Sequence, residues 1–172
     1  MLLSTACDPP APLPAAPSDE NCIAAGESES ATLLLGKYEM DEEYEPLPFE
    51  AADENTVSFT LEYGPQGGQH FSFSVRSSQA QSGDFYRAQL VVDGSVLADR
   101  VWSGPNCSGG EWAEMSGLTI TLDDDQPVSG TLLIELQRCA EGGNSCNPVE
   151  GGEGDGSLPT TVASLEKEVS IL

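Results

Sequence analysis

Hydrophobic and polar residues alternate with a period of two through most of the middle of the chain. Val57, Phe59, Leu61 and Tyr63 alternate with Ser, Thr and Glu, and Phe71, Phe73 and Val75 repeat the pattern after a turn. Tyr86, Ala88, Leu90 and Val92 follow, then Leu118, Ile120 and Leu122, then Leu132, Ile134 and Leu136. Such alternation places one side of each segment on a core and the other in water. Ala31 to Tyr38 is a further strand candidate, and Tyr44 to Phe49, carrying Pro46 and Pro48, reads as a short edge piece. Asp93-Gly94 between two apolar runs is a hairpin signal, because both positions tolerate positive φ. Gly64 to Gly68 and Asp123 to Pro127 mark two longer connections. Seven or eight short strands with these turns predict an all-β fold: a two-sheet antiparallel sandwich, immunoglobulin-like in architecture.

The ends read differently. Residues 1–20 carry Pro9, Pro10, Pro12, Pro14 and Pro17 among Ala and Ser, a stiff spacer that supplies no core. The sandwich is expected over 21–148, and 149–172 as an acidic Gly-rich linker followed by an apolar segment. In that segment Val162, Leu165, Val169 and Leu172 fall at helical spacing behind Thr160 and Thr161. A short C-terminal helix is the expectation, with a terminal strand as the alternative.

Six basic against 29 acidic residues give a net charge of -23, which opposes nucleic acid and favours cations or a basic partner. No stretch approaches the roughly 20 apolar residues that span a bilayer. Five cysteines leave one over after pairing. Leu3-Ser4-Thr5-Ala6-Cys7 is similar to a bacterial lipoprotein signal displaced by one residue, so Cys7 is the expected lipidation site and the chain is expected at a cell surface or outer membrane, otherwise secreted. Cys22, Cys107, Cys139 and Cys146 then form two disulfides in one of three connectivities, with Cys139–Cys146 and Cys22–Cys107 preferred.

Candidate chemistry is sparse. His70 is the single histidine and follows a glycine-rich turn; donation to a loop carbonyl outweighs a copper or zinc role. Trp102 and Trp112 flank the Cys107 loop, and either close the core or, exposed together, stack on sugar. Asp123, Asp124 and Asp125, with Asp53 or Glu54, form a weak calcium candidate beside the plainer reading of a solvated hairpin tip. Nucleophile-elbow and phosphate-loop patterns are absent, and paired carboxylates are what this charge produces by chance, so an enzyme is not expected and no cofactor is required.

The elements Leu33-Leu34-Leu35-Gly36, Tyr44-Glu45-Pro46-Leu47 and Tyr63-Gly64-Pro65-Gln66-Gly67-Gly68-Gln69-His70, with Arg76 beyond, cover about a quarter of the chain. This stretch resembles a group of uncharacterised lipoproteins of myxobacteria and related bacteria that carry a Gly-Pro-Gln-Gly-Gly-x-His element. The resemblance implies a secreted or outer-membrane sandwich domain and supports lipidation of Cys7; it implies no activity. The reading that follows is a noncatalytic surface module for adhesion, envelope assembly or an extracellular multisubunit structure. The alternative is a carbohydrate- or cation-binding sandwich.

Overall fold

The computed structural model describes residues 22–24, 31–63, 68–80, 84–104, 111–122, 127–139 and 159–172, with backbone alone at 22–24, 111 and 112. Among these residues ten strands form, in the order β1 (Cys22–Ala24), β2 (Leu33–Lys37), β3 (Thr56–Phe59), β4 (Glu62–Tyr63), β5 (Gln69–Ser78), β6 (Phe85–Val92), β7 (Ser95–Ser103), β8 (Glu111–Leu122), β9 (Val128–Arg138) and β10 (Thr160–Ile171). One sheet runs β1-β8-β5-β2, with β4 also on β5; the other runs β3-β10-β9-β6-β7. Among the described residues no helix occurs, and all pairs are antiparallel except β3 with β10. The all-β sandwich is therefore present. The immunoglobulin-like expectation extends only as far as two stacked sheets.

The alternating residues do what their period requires. Phe71 and Phe73 of β5, Ile120 of β8, Tyr86 and Leu90 of β6, and Leu132, Ile134 and Leu136 of β9 are buried between the layers. Phe71 and Phe73 stack at 6.0 Å between centroids, and Phe59 joins Phe71 at 5.3 Å from the opposite sheet. Such ring pairs add to the burial of each side chain, itself worth about 1.5–3 kcal/mol. Asp93 and Gly94 close β6 onto β7 with φ of 50° and 76°, the left-handed pair a tight hairpin needs.

Three expectations are corrected. The C-terminal segment is not a helix but the twelve-residue strand β10, lying between β3 and β9 inside the second sheet. Its period is disguised twice. A register shift between Thr161 and Ala163 leaves Val162 as an extra residue, and Lys167 then occupies a position on the core-facing row with Leu165, Val169 and Ile171. Lys167 is tolerated there because its ammonium reaches out to donate to the Glu54 carbonyl at 3.3 Å. Residues 160–171 consequently belong to the second sheet of the sandwich. Among the described residues ten strands stand where seven or eight are expected, β1 and β4 being the short additions. Finally, Tyr44 to Phe49 forms no strand: Pro46 and Pro48 lack the N–H a ladder needs, and only an isolated Met40–Pro46 bridge forms.

Instead the 39–50 segment folds back over the outer face of the first sheet. The Phe49 ring sits against Gly36, where an added Cβ would lie 2.6 Å from it, and the Arg76 guanidinium lies 4.5 Å from the ring centroid. Arg76 is held in turn by Glu114 at 2.7 Å. Tyr38 covers Gly117 on β8 in the same way. These contacts fix the position of the acidic hairpin that follows β2.

Candidate functional site

An open cleft of about 530 Å³ lies where the chain crosses from one sheet to the other. Its residues come from the end of β2 and the following hairpin (Lys37, Tyr38, Glu39, Met40, Tyr44), from the β3–β4 passage (Ser58, Phe59, Thr60, Glu62) and from Ser72 of β5. The passage is anchored by the chain end: Leu172 donates to the Phe59 carbonyl at 3.0 Å, and Leu61 donates to the Leu172 carbonyl at 2.8 Å. These bonds extend the β3–β10 ladder as far as Leu61, and beyond it the chain passes to the first sheet, where β4 joins β5.

The hairpin presents Tyr44 under strain. Tyr44 has φ of 65°, a conformation costly to a bulky L-residue, and its ring is 83% exposed. Asp41 enforces the turn, its Oδ1 accepting from the N–H groups of Glu43 and Glu45, both at 2.9 Å, while its carbonyl accepts from Tyr44 at 3.2 Å. Leu47 closes the hairpin by donating to the Glu39 carbonyl at 2.9 Å. Tyr63 at the end of β4 is also exposed, as are Met40 and Leu47.

The electrostatics of this edge are negative. Glu39, Asp41, Glu42, Glu43 and Glu45 are exposed along one hairpin, and Glu62 stands across the cleft. The cationic member of the lining, Lys37, is engaged with Glu54 at 3.5 Å. The Glu54 carboxyl is held below the ordinary range, first by a backbone hydrogen bond and then by the Lys37 charge. An anion entering here would meet carboxylates. A cation would meet two acidic walls and the faces of tyrosines.

The residues singled out from sequence are dispersed. His70 lies on β5 opposite Glu62, its Nε2 3.3 Å from the Glu62 Oε2, so it supports a cleft residue from outside the lining. Trp102, half-buried on β7, meets Phe73 edge-on at 5.9 Å and closes one end of the core. Trp112 lies on β8 in the other sheet with its backbone alone described, so the expected pairing of the two rings falls outside the described residues. Asp53 is exposed beside Glu54, and Asp123, Asp124 and Asp125 lie outside the described residues. Among the described residues no group of three or more His, Cys, Asp or Glu side chains stands ready to hold a metal. Cys139 is disulfide-bonded; Cys7, Cys107 and Cys146 lie outside the described residues, and Cys22 is seen as backbone opposite Ala113.

Sequence reasoning missed the cleft because its walls are separated in the chain and meet only through the sheet crossing. One signal was present: Met40 and Tyr44 stand among carboxylates directly after a strand, where large exposed side chains serve no core. No protein-family model, no curated protein and no solved structure matches this chain.

Proposed function

We propose that the chain is a noncatalytic, exported surface module that binds a basic segment of a protein partner in the acidic, tyrosine-lined cleft. The observation that carries this reading is the exposed Tyr44, held at positive φ on a hairpin of carboxylates beside an open cleft. Strain of this kind persists where the surrounding structure over-determines it and function gains from the placement. Tyrosine faces and carboxylates together complement lysine and arginine, which carry both a charge and an apolar stem. Adhesion or assembly into an extracellular structure is the setting this suits.

The probe is a capped nonapeptide alternating lysine and threonine, titrated at low and moderate salt against a glutamate–threonine control. The Glu39→Gln/Glu62→Gln pair is expected to weaken lysine-peptide binding roughly ten-fold at low salt, each charge being worth about 0.5–1 kcal/mol at an exposed site. Tyr44→Asn is expected to weaken it similarly while holding or raising the melting temperature, since Asn accepts the left-handed conformation. Equal binding of the two peptides would overturn the reading. Binding of neutral oligosaccharides that depends on Tyr44, with no response to the lysine peptide, would replace it with the carbohydrate alternative.

Surface attachment through Cys7 belongs to the same proposal, supported by the signal-like residues before it and the proline spacer behind it. Intact mass of natively purified protein tests it. Cleavage before Cys7 with a diacylglyceryl or triacyl increment is expected, and an unmodified Cys7 would remove the anchor.

A further inference from the structure

The cleft has one more property, found in the backbone of its floor. In a parallel pair, alternate residues of each strand direct both N–H and C=O at the neighbour, and the residues between direct both away. The Phe59 carbonyl accepts from Leu172 and the Leu61 N–H donates to Leu172, so Phe59 and Leu61 face β10. Ser58 and Thr60 therefore turn their N–H and C=O outward, and both residues line the cleft. Among the described strands, β3 pairs with β10 alone.

The other sheet edges are guarded. β1 has three residues, and the outer edge of β2 is bridged at Gly36 by Ala51, with Ala52 donating to the Leu35 carbonyl at 2.8 Å. β7 is long, but a register shift interrupts its pairing at Leu90/Val91, and exposed Arg100 occupies the core-facing row opposite Ala88. Bulges and inward-facing charges of this kind oppose further pairing. β3 has neither: Thr56 and Ser58 are neutral, and its register against β10 is continuous.

We infer that the partner's basic segment binds as an added strand on β3, exchanging backbone hydrogen bonds with Ser58 and Thr60 while alternate lysine or arginine side chains turn toward Glu39 and Glu62. The occupant is chosen by charge, because the rim is acidic and Lys37 is already engaged with Glu54. Strand addition supplies affinity through the main chain, and the cleft supplies selectivity through every second side chain. This inference rests on the proposed function and specifies how the partner is held.

The test separates the two. Ser58→Pro removes an N–H that β10 does not use, at an edge position where proline is tolerated. The same lysine–threonine nonapeptide is titrated against the parent and this variant, and a series carrying one N-methyl group at successive positions is titrated against the parent. The expected result is a roughly ten-fold loss for Ser58→Pro and similar losses at every second N-methyl position within the bound stretch, each removing a backbone hydrogen bond. Binding unchanged by Ser58→Pro and by every N-methyl group would overturn strand addition while leaving the basic-ligand reading intact. No binding to the parent would overturn both. A parent dimer that Ser58→Pro converts to monomer would make the occupant a second copy and overturn the inference in its present form. If circular dichroism shows Ser58→Pro unfolded, the N-methyl series decides alone.

Discussion

Replacing Asp84 with Ala is expected to lower the unfolding free energy by about 3 kcal/mol, the scale seen when one member of a buried ion pair is removed. Asp84 lies at the entry to β6 with its side chain 1% exposed, and both its oxygens accept from Arg138 at 2.7 Å. Arg138 ends β9 and also donates to the Gln79 carbonyl at 3.1 Å, where the backbone takes a φ of 63°. The Asp84 carbonyl accepts from Gly104 at 2.8 Å, just beyond β7. One residue thus ties the β5–β6 connection to the ends of β7 and β9. The carboxylate's hydrogen bonds raise the Arg138 pKa above its ordinary value, so the guanidinium keeps its charge. Arg138 is partly solvated, and water will recover some of the loss; Asp84→Asn, which keeps the shape and one acceptor, should cost less than Asp84→Ala. Urea unfolding measures the difference as a midpoint shift of roughly 1–2 M. Coincident curves for parent and Asp84→Ala would show that the clamp contributes nothing net.

That clamp was invisible in the chain, and the reason is general to sheets. Asp84 and Arg138 are 54 residues apart, and only the pairing of β6 with β9 brings them together. Strand existence is legible locally, because each strand reports its own period: Phe71, Phe73 and Val75 declare a buried face without reference to any neighbour. Asp93-Gly94 is equally local, and its backbone adopts the expected conformation. β10 failed the same reading because a bulge at Val162 and a core-row lysine at 167 broke the alternation in two places. The lysine is compensated by a group distant in sequence, its ammonium donating to the Glu54 carbonyl just before β3. The cleft needed more still, since Glu39, Ser58 and Glu62 converge only when β3 and β4 fall in different sheets. A period of two carries no information about which sheet a strand joins.

The division of roles follows from this. A rigid two-layer core carries a hairpin whose own local bonds, around Asp41, are sufficient to display Tyr44. Changes at the cleft should therefore alter binding with little effect on folding, and changes at the buried polar groups should do the reverse. Asp84 and Tyr86 are the groups whose loss the core feels most.

Alkaline titration will expose the second of these. Tyr86 is completely buried, and its hydroxyl shares a hydrogen bond with Ser77 across the two sheets. Burial pushes its pKa from 10.0 up to about 12; the nearby Asp84 charge adds to the rise and the Ser77 bond opposes it. In the unfolded chain the phenol ionises near 10, so between pH 10 and the folded value the unfolded state holds fewer protons than the native one. Stability must therefore fall as pH rises through that window, and it is unaffected by this group below pH 10. A shift of this size corresponds to about 3 kcal/mol at the top of the window. Tyr86→Phe removes the titration but strands the Ser77 hydroxyl in the core, at about 1–3 kcal/mol for an unsatisfied buried group. The variant should be the less stable protein at pH 8 and the flatter one above pH 10, so that the two unfolding curves converge as pH approaches 12. The double variant Ser77→Ala/Tyr86→Phe, which removes both partners, should recover part of the loss at pH 8 while keeping the flat alkaline limb. Parallel pH profiles for parent and Tyr86→Phe would assign alkaline unfolding to another group and remove Tyr86 from its cause.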